Sequence, residues 1–277
     1  MNFGRGIDNK GDTMSLTLGG GPLAADAPTT VNYSVDGPRH ALYLHPFPRR
    51  VRAELAGTIV LDSDHGHLLH ETGLLPVLYV PMEDVTPALL TATDHTTHCP
   101  YKGDAAYWSV TVGDRTAENA LWAYPEPKAE AAWLRGLAAL YWEAADAWYD
   151  EEEKVHGHLR DPFHRVDARQ SSRLVRVMLG DEVLAVSGHP KVLSETGLAN
   201  RYYLPPEAVR TDLLVPSRTR RHCPYKGEAV YWSARIGERE VADVAWSFPH
   251  PLKDGQDVKG YYSFDHEALS IDLENQH

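Results

Sequence analysis

One short segment, His-Cys-Pro-Tyr-Lys-Gly, occurs twice and contains most of the residue types in this chain that could do chemistry. It spans His98–Gly103 and, with the same six residues, His222–Gly227. The proline fixes φ and lacks a backbone donor, which is typical of a turn or a strand edge. The glycine can take a positive φ and close that turn. The pattern predicts that the tyrosine and the lysine of each copy lie at a bend, where backbone geometry holds their side chains.

The lysines of the two segments are the strongest candidates for reactive groups. A partly buried lysine can act as a base, a nucleophile or an anion anchor. The alternative is an ordinary ion pair, for which the glutamates of two Glu-Thr-Gly segments are the obvious partners. Each glutamate could instead cap a turn or act as a general acid or base. The predicted catalytic residues are Glu71, Lys102, Glu195 and Lys226.

Aromatic and imidazole side chains near each segment are predicted to bind a ligand. A tyrosine hydroxyl can donate to a ligand oxygen, or simply pack with its hydroxyl satisfied. On the strand after the first segment, Tyr107 and Trp108 point to opposite faces, so one faces the core and the other could form an aromatic wall. The expected ligand-binding residues are Tyr101, Trp108, His98, Tyr225, Trp232 and His222.

No metal or cofactor is expected. His98 and Cys99 are adjacent and would point to opposite faces of a strand. His65 and His189 match between the copies and could in principle join a cysteine on zinc, but no spacing demands it. The 15 histidines lack metal-ligand spacing, and G-x-S-x-G, H-E-x-x-H and P-loop motifs are missing from the sequence. The two cysteines are expected to be small buried thiols in separate cores.

The two segments belong to a long internal repeat. His98 and His222 are 124 residues apart, and at that offset Val51–Pro127 matches Val175–Pro251 without a gap, with about 31 of 77 pairs identical. Each copy is long enough for its own core, so the repeat indicates two copies of one domain. We predict an irregular N-terminal arm at 1–40, a first repeat domain at 41–153, a connecting strap at 154–172 and a second repeat domain at 173–277.

The fold is predicted to be mainly β. Short segments rich in β-branched and aromatic residues are separated by Gly, Pro or Asp. Each copy resembles a small antiparallel β-barrel or sandwich-like domain with one short helix, near Pro81–Leu90 in the first copy. Residues Ala129–Lys154 have an amphipathic helical pattern, but their counterpart in the second copy indicates strand, turn and strand. We therefore favour two strands around a turn near Glu143–Asp146.

Composition narrows the class of function. The chain has 277 residues and a formal net charge of −12, which argues against nucleic-acid binding despite one basic stretch at Ser217–His222. No apolar run has the length of a membrane span, and no signal-peptide pattern is present at the N-terminus. We expect a cytoplasmic protein without nucleic-acid or membrane partners, in which the two repeats contact each other.

Several spaced motifs resemble one family. They are ETGL from Glu195, YLPPEAV from Tyr203, HCPYKGEAVYWS from His222 and AWSFPHP from Ala245. This pattern resembles domain-of-unknown-function family 427, which also carries a nucleotidyltransferase-like label. The resemblance covers both copies and their connection, and implies an actinobacterial-type two-domain member made of small β-rich domains. It implies no reaction. A nucleotidyltransferase would need paired carboxylates for Mg²⁺, and we do not adopt that activity.

Together these features predict a small-molecule pocket in each repeat. An enzyme of this composition suits metal-independent acid–base or carbonyl chemistry of a lyase, isomerase or hydrolase type. Lysine would polarise or condense with a carbonyl, and glutamate would move the proton. Two alternatives remain open. One is a non-catalytic binding module for a small anion or metabolite. The other is a structural motif, with both lysines fully salt-bridged and no cavity beside them.

Overall fold

The computed structural model describes residues 16–18, 20–25, 29–32 and 37–275. The chain divides into two compact units, with the boundary between Asp161 and Pro162. Much of the predicted arm at 1–40 lies outside the described residues, and its described parts form turns and bends. Within the described part of the chain, no helix is long and apolar enough to span a membrane.

The first unit consists of a seven-stranded and a four-stranded antiparallel sheet. Its strands are β1 (Leu42–Phe47), β2 (Val51–Leu55), β3 (Thr58–Ser63), β4 (Gly66–Glu71), β5 (Val77–Pro81), β6 (Leu90–Cys99), β7 (Gly103–Val112), β8 (Arg115–Ala123), β9 (Leu137–Leu140), β10 (Ala147–Asp150) and β11 (Glu153–Val155). The larger sheet has the order β1-β4-β5-β9-β8-β7-β6, and the smaller has β11-β10-β2-β3. Short 3₁₀ helices span Met82–Asp84, Pro87–Leu89, Ala129–Leu134 and Trp142–Ala144.

The second unit repeats this arrangement. Its strands are β12 (Val166–Gln170), β13 (Leu174–Leu179), β14 (Glu182–Ser187), β15 (Lys191–Glu195), β16 (Arg201–Leu204), β17 (Leu214–Cys223), β18 (Gly227–Ile236), β19 (Arg239–Ser247), β20 (Tyr262–Phe264) and β21 (Leu269–Glu274). The larger sheet has the order β12-β15-β16-β20-β19-β18-β17, and the smaller has β14-β13-β21. Its 3₁₀ helices span Pro206–Ala208, Thr211–Leu213 and Lys253–Val258.

The predicted fold class is therefore confirmed: two tandem, mainly β domains of barrel or sandwich-like form, each with short helical elements. The short helix expected near Pro81–Leu90 is present as two 3₁₀ turns instead of one continuous helix. Val85 interrupts it because this residue is extended, buried and bridged to Leu61 of β3. Burying the valine between the sheets prevents a regular helix from continuing through it.

The region Ala129–Lys154 also folds as we favoured, with two strands and a turn in place of an amphipathic helix. β9 lies between β5 and β8 and pairs with both. It therefore satisfies backbone N–H and C=O groups of these two strands, which would lack partners if this segment were a helix. Gly136, just before β9, has a φ of +80° and stops the preceding 3₁₀ segment. A 3₁₀ turn at Trp142–Ala144 separates β9 from β10, beside the turn predicted near Glu143–Asp146.

Each larger sheet buries apolar side chains on both faces. One face packs against the smaller sheet; in the first unit this core includes Leu55, Leu61 and Leu68. We call the core on the opposite face the tyrosine core. In the first unit it contains Leu69, Tyr79, Ala105, Tyr107, Tyr124, Ala131, Leu134 and Ala139. In the second unit it contains Ala168, Leu193, Tyr203, Ala229, Tyr231, Trp246, Phe248 and Val258.

Candidate functional site

The repeated His-Cys-Pro-Tyr-Lys-Gly segment forms the turn between two long strands of the larger sheet in each unit. Its glycine has a φ of +105° at Gly103 and +99° at Gly227. A Cβ at Gly103 would lie 3.3 Å from the carbonyl oxygen of Glu126, and one at Gly227 would lie 3.1 Å from the backbone nitrogen of Leu252. The segment that follows β8, and its counterpart after β19, therefore packs directly on the turn. Glycine is required there both for its backbone angle and for this close approach.

This turn directs its lysine inward, onto the glutamate that ends β4 in the first unit and β15 in the second. The ammonium of Lys102 donates to Glu71, and that of Lys226 donates to Glu195. The lysines are only 7% and 4% exposed, and both glutamates are buried. Because side chains alternate along β4, Glu71 lies on the same face as Leu69, which belongs to the tyrosine core. Removing one member of such a buried pair would leave an uncompensated charge.

An aromatic ring lies near each ammonium. The Lys102 Nζ atom is 5.7 Å from the centroid of the Tyr124 ring, and the Lys226 Nζ atom is 5.8 Å from that of Phe248. These two aromatic residues occupy equivalent positions in the repeats. The lysine side chain therefore lies between its carboxylate partner and the tyrosine core.

A histidine that we did not predict completes the site. His40 Nε2 lies 3.3 Å from Glu71 Oε2, and the His40 ring stacks on Tyr101 with centroids 3.9 Å apart and planes 11° apart. In the second unit the ring of His164 lies over Tyr225 at 4.2 Å. The two histidines are separated by the same 124 residues as the two turns.

A sequence signal for this histidine does exist. Pro38 and His40 match Pro162 and His164, so the repeat extends before Val51, where our comparison began. We had instead assigned residues up to 40 to an irregular arm. The histidine was overlooked because few other residues in that stretch match between the copies.

In the first unit the histidine opens onto a cleft of about 470 Å³. This volume is within the range typical of small-molecule sites. His40 belongs to the cleft wall and also contacts the buried Glu71, so it connects the cleft to the ion pair. The described residues that line the cleft are Pro38, His40, Leu42, Pro100, Tyr101, Lys128 and Glu130.

Access to the turn differs between the units. Tyr101 is 42% exposed, whereas its equivalent Tyr225 is 2% exposed. The preceding Pro100 is exposed and Pro224 is buried. Both units therefore have the glutamate, lysine, tyrosine and histidine, but only in the first does the turn present its tyrosine ring at the surface.

Four of the predicted ligand-binding residues lie apart from the ion pairs. Trp108 and Trp232 pack against the cores between the two sheets of their units, on the strand face opposite Tyr107 and Tyr231. His98 Nδ1 is 2.6 Å from Asp104, and His222 Nε2 is 3.1 Å from Glu228. Both histidines are exposed on the outside of the hairpins. The structure brings Tyr101 and Tyr225 to the histidines at the turns, and places these other four elsewhere.

Burial raises the pKa of three polar groups near the ion pairs, namely Tyr79, Tyr124 and Cys223. Burial raises the pKa of the Tyr79 hydroxyl, which accepts a hydrogen bond of 3.1 Å from the Trp122 indole. Burial also raises the pKa of Tyr124, with Cys99 and Glu71 nearby adding to the effect. Both cysteines are free thiols, and burial raises the pKa of Cys223 despite the opposing influence of Lys226. Their raised pKa values keep Tyr79, Tyr124 and Cys223 neutral near pH 7, whereas the charges beside them belong to the ion pairs.

Comparison with known proteins places the chain in a family. The family model described as a domain of unknown function, DUF427, matches residues 43–151 and 167–276. No curated protein matches the chain at a significant level. The two matched regions cover most of the chain and correspond to the two β units described above. The chain therefore belongs to the DUF427 family and carries two copies of its domain in tandem.

Proposed function

We propose that the first repeat is an acid–base enzyme domain that binds a small molecule in the cleft beside His40. One observation carries this proposal: His40 lines the cleft, and its Nε2 lies 3.3 Å from the carboxylate of Glu71, which Lys102 holds from the buried side. A base that is oriented by a second group is the usual arrangement for proton transfer.

In this proposal His40 is the residue that meets the ligand. Histidine is the side chain most often used for proton transfer near neutral pH. Glu71 accepts from the imidazole and so fixes its orientation and tautomer, as a carboxylate does for other histidines. Lys102 is a positioning residue, since its ammonium donates to Glu71 and is almost fully buried. This role differs from the carbonyl condensation that we expected from the sequence, because the lysine nitrogen is directed away from solvent.

The proposal assigns the activity to the first repeat. In the second repeat the same four residue types are present, but the buried Tyr225 and Pro224 restrict access to the turn. The second site then stabilises its domain, through the ion pair of Lys226 with Glu195.

The competing function is ligand binding without turnover. Binding without turnover is favoured because the second unit contains the same ion pair, Lys226 with Glu195, although Tyr225 beside that pair is buried. A pair that also occurs at a closed site can serve the fold alone. The cleft would then bind a metabolite through His40 and Tyr101 without changing it.

A metabolite screen separates these functions. The full-length chain is screened by thermal shift, and each ligand that raises the melting temperature is incubated with the protein in D₂O. We expect mass spectrometry to show conversion or deuterium incorporation. This activity should fall at least ~100-fold in His40→Gln, the low end of the usual contribution of a general base. The matched variant His164→Gln should retain it. Equal activity in His40→Gln would overturn the proposal, and stabilisation without chemical change would support binding alone.

A further inference from the structure

The chemistry of the cleft wall indicates the class of ligand. We infer that the first repeat selects a small planar zwitterion, a molecule that carries a carboxylate and an ammonium group on an aromatic or otherwise flat frame. This inference rests on the proposed function, because it concerns the same cleft. It specifies the ligand through residues other than the His40–Glu71–Lys102 group.

The flat frame is suggested by the exposed ring of Tyr101. One face of this ring is covered by His40, and the residue is nevertheless 42% exposed. Its remaining face and edge therefore line the cleft. Pro38, Leu42 and Pro100 supply further apolar wall. A planar ligand that stacks on the tyrosine would extend the existing His40–Tyr101 stack, an arrangement that aromatic rings favour.

The two charged groups of the ligand are suggested by Lys128 and Glu130, which both line the cleft. The backbone N–H of Lys128 donates to the Lys102 carbonyl at 3.0 Å, and its ammonium donates to the Pro100 carbonyl at 2.5 Å. Lys128 is thus held at the turn, and an ammonium has three donors, so two remain for a carboxylate.

Glu130 supplies the opposite charge. It lies in the first turn of the 3₁₀ segment Ala129–Leu134 and is exposed. Within the part of the chain that the structure describes, Glu130 has no ion-pair partner. Its carboxylate is available to an ammonium group of the ligand, two residues along the chain from the lysine that would hold the ligand carboxylate.

The net charge of the protein favours the same class. At −12 the chain repels a simple anion at long range. A zwitterion has no net charge and avoids this repulsion, while still using Lys128 at short range. A ligand with only a positive charge would be attracted by Glu130 but repelled by Lys128.

The second repeat provides a natural contrast. The position of Lys128 is occupied by Leu252, whereas that of Glu130 retains a carboxylate as Asp254. The backbone N–H of Leu252 still donates to the Lys226 carbonyl at 3.0 Å, so the local fold does not need a lysine side chain at position 252. Lys128→Leu therefore removes the charge while introducing a residue that this fold already accommodates.

Matched aromatic probes test the inference on the full-length chain. The zwitterions are phenylalanine and 4-(aminomethyl)benzoate, and their singly charged counterparts are 4-methylbenzoate and 4-methylbenzylamine. Binding is measured by titration calorimetry and ligand-observed NMR. We expect at least one zwitterion to bind tenfold or more tightly than both singly charged probes. Lys128→Leu should weaken zwitterion and benzoate binding about tenfold and should not weaken amine binding. Glu130→Gln should weaken zwitterion and amine binding and should not weaken benzoate binding.

The outcomes distinguish this inference from the proposed function. If the benzoate binds as tightly as the zwitterions, or if no probe binds at millimolar concentration, the ligand class is wrong, and the effect of His40→Gln on turnover still decides the proposed function. If Lys128→Leu alters binding as expected but His40→Gln leaves turnover intact, the ligand class stands and the proposed catalysis fails. Urea denaturation of each variant separates a binding effect from unfolding. Should Lys128→Leu unfold, Glu130→Gln and the comparison of probes still decide the inference.

Discussion

His40 and Glu71 are 31 residues apart in the chain, yet the imidazole Nε2 lies 3.3 Å from the carboxylate Oε2. The same carboxylate accepts from Lys102, a further 31 residues along the chain. Glu71 therefore joins a half-buried cleft residue to a buried cation. In the proposed function this relationship gives the ion pair a part in proton transfer as well as in folding, and the two contributions can be measured separately.

The first prediction concerns the buried pair. Glu71→Gln leaves the Lys102 ammonium buried without a counter-charge, so we expect the free energy of unfolding to fall by about 3–5 kcal/mol. The double variant Glu71→Gln/Lys102→Met removes both charges at similar volume and should recover most of that loss. Urea denaturation followed by tryptophan fluorescence measures both. Ordinary surface substitutions change the free energy of unfolding by about 0.5 kcal/mol or less. If Glu71→Gln also lies within that range of wild type, Lys102 does not depend on Glu71 for its charge compensation.

The second prediction concerns the turn glycine. Gly103→Ala must hold a Cβ at a φ of +105° and 3.3 Å from a backbone carbonyl, so we expect a loss of at least about 1–3 kcal/mol. Gly73→Ala is the matched control, since Gly73 has a φ of +82° but open space around its Cβ position. Urea midpoints should show the larger loss for Gly103→Ala. Equal losses would mean that the close packing on the turn contributes nothing.

The third prediction concerns pH and the fully buried His70. Burial lowers its pKa below the ordinary 6.5, although nearby Asp161 opposes this and His45 adds to it. Below pH 6.5, His70 therefore binds a proton more readily in the unfolded chain than in the folded chain. Stability from this residue is present above pH 6.5 and is lost as the pH falls through and below that value.

The variant His70→Gln tests this pH dependence. It should be less stable than wild type at pH 7.5, but its stability should fall less between pH 6.5 and 5. The control is His65→Gln, at an exposed position. Chemical denaturation across this pH range measures the slopes, and parallel slopes for wild type and His70→Gln would show that His70 does not contribute.

The fourth prediction concerns the thiol beside the second ion pair. Burial raises the pKa of Cys223, and only the thiolate reacts with alkylating agents. With iodoacetamide at pH 8, native Cys223 should react at least about tenfold more slowly than in the urea-unfolded chain. Peptide mass spectrometry separates it from Cys99. Equal rates in the two states would mean that the thiol is neither shielded nor perturbed.

Much of the fold could be predicted from the sequence because its signals are local or repeated. The 124-residue offset identified two domains, and β-branched segments bounded by Gly and Pro identified the strands. The counterpart of Ala129–Lys154 in the second copy resolved an ambiguous pattern that one copy alone could not. The turn at His98–Gly103 followed from what proline and glycine allow.

The candidate site was only partly predictable. The pairing of Lys102 with Glu71 was one of the alternatives that the residue types allowed, and the structure shows it in both repeats. His40 was missed because it lies before the first strand, where the two copies share few residues. Trp108 was expected near the ligand, but strand alternation places it against the core between the sheets.

The sequence by itself determined the repeat, the mainly β class and the glycine-dependent turn, because backbone angles and side-chain alternation are properties of neighbouring residues. Only the tertiary structure decided that His40 reaches Glu71 and that Tyr101 is exposed where Tyr225 is buried. These two features depend on the packing of segments that are distant in the chain. Identical motif residues can therefore lie at an open site in one repeat and at a closed site in the other.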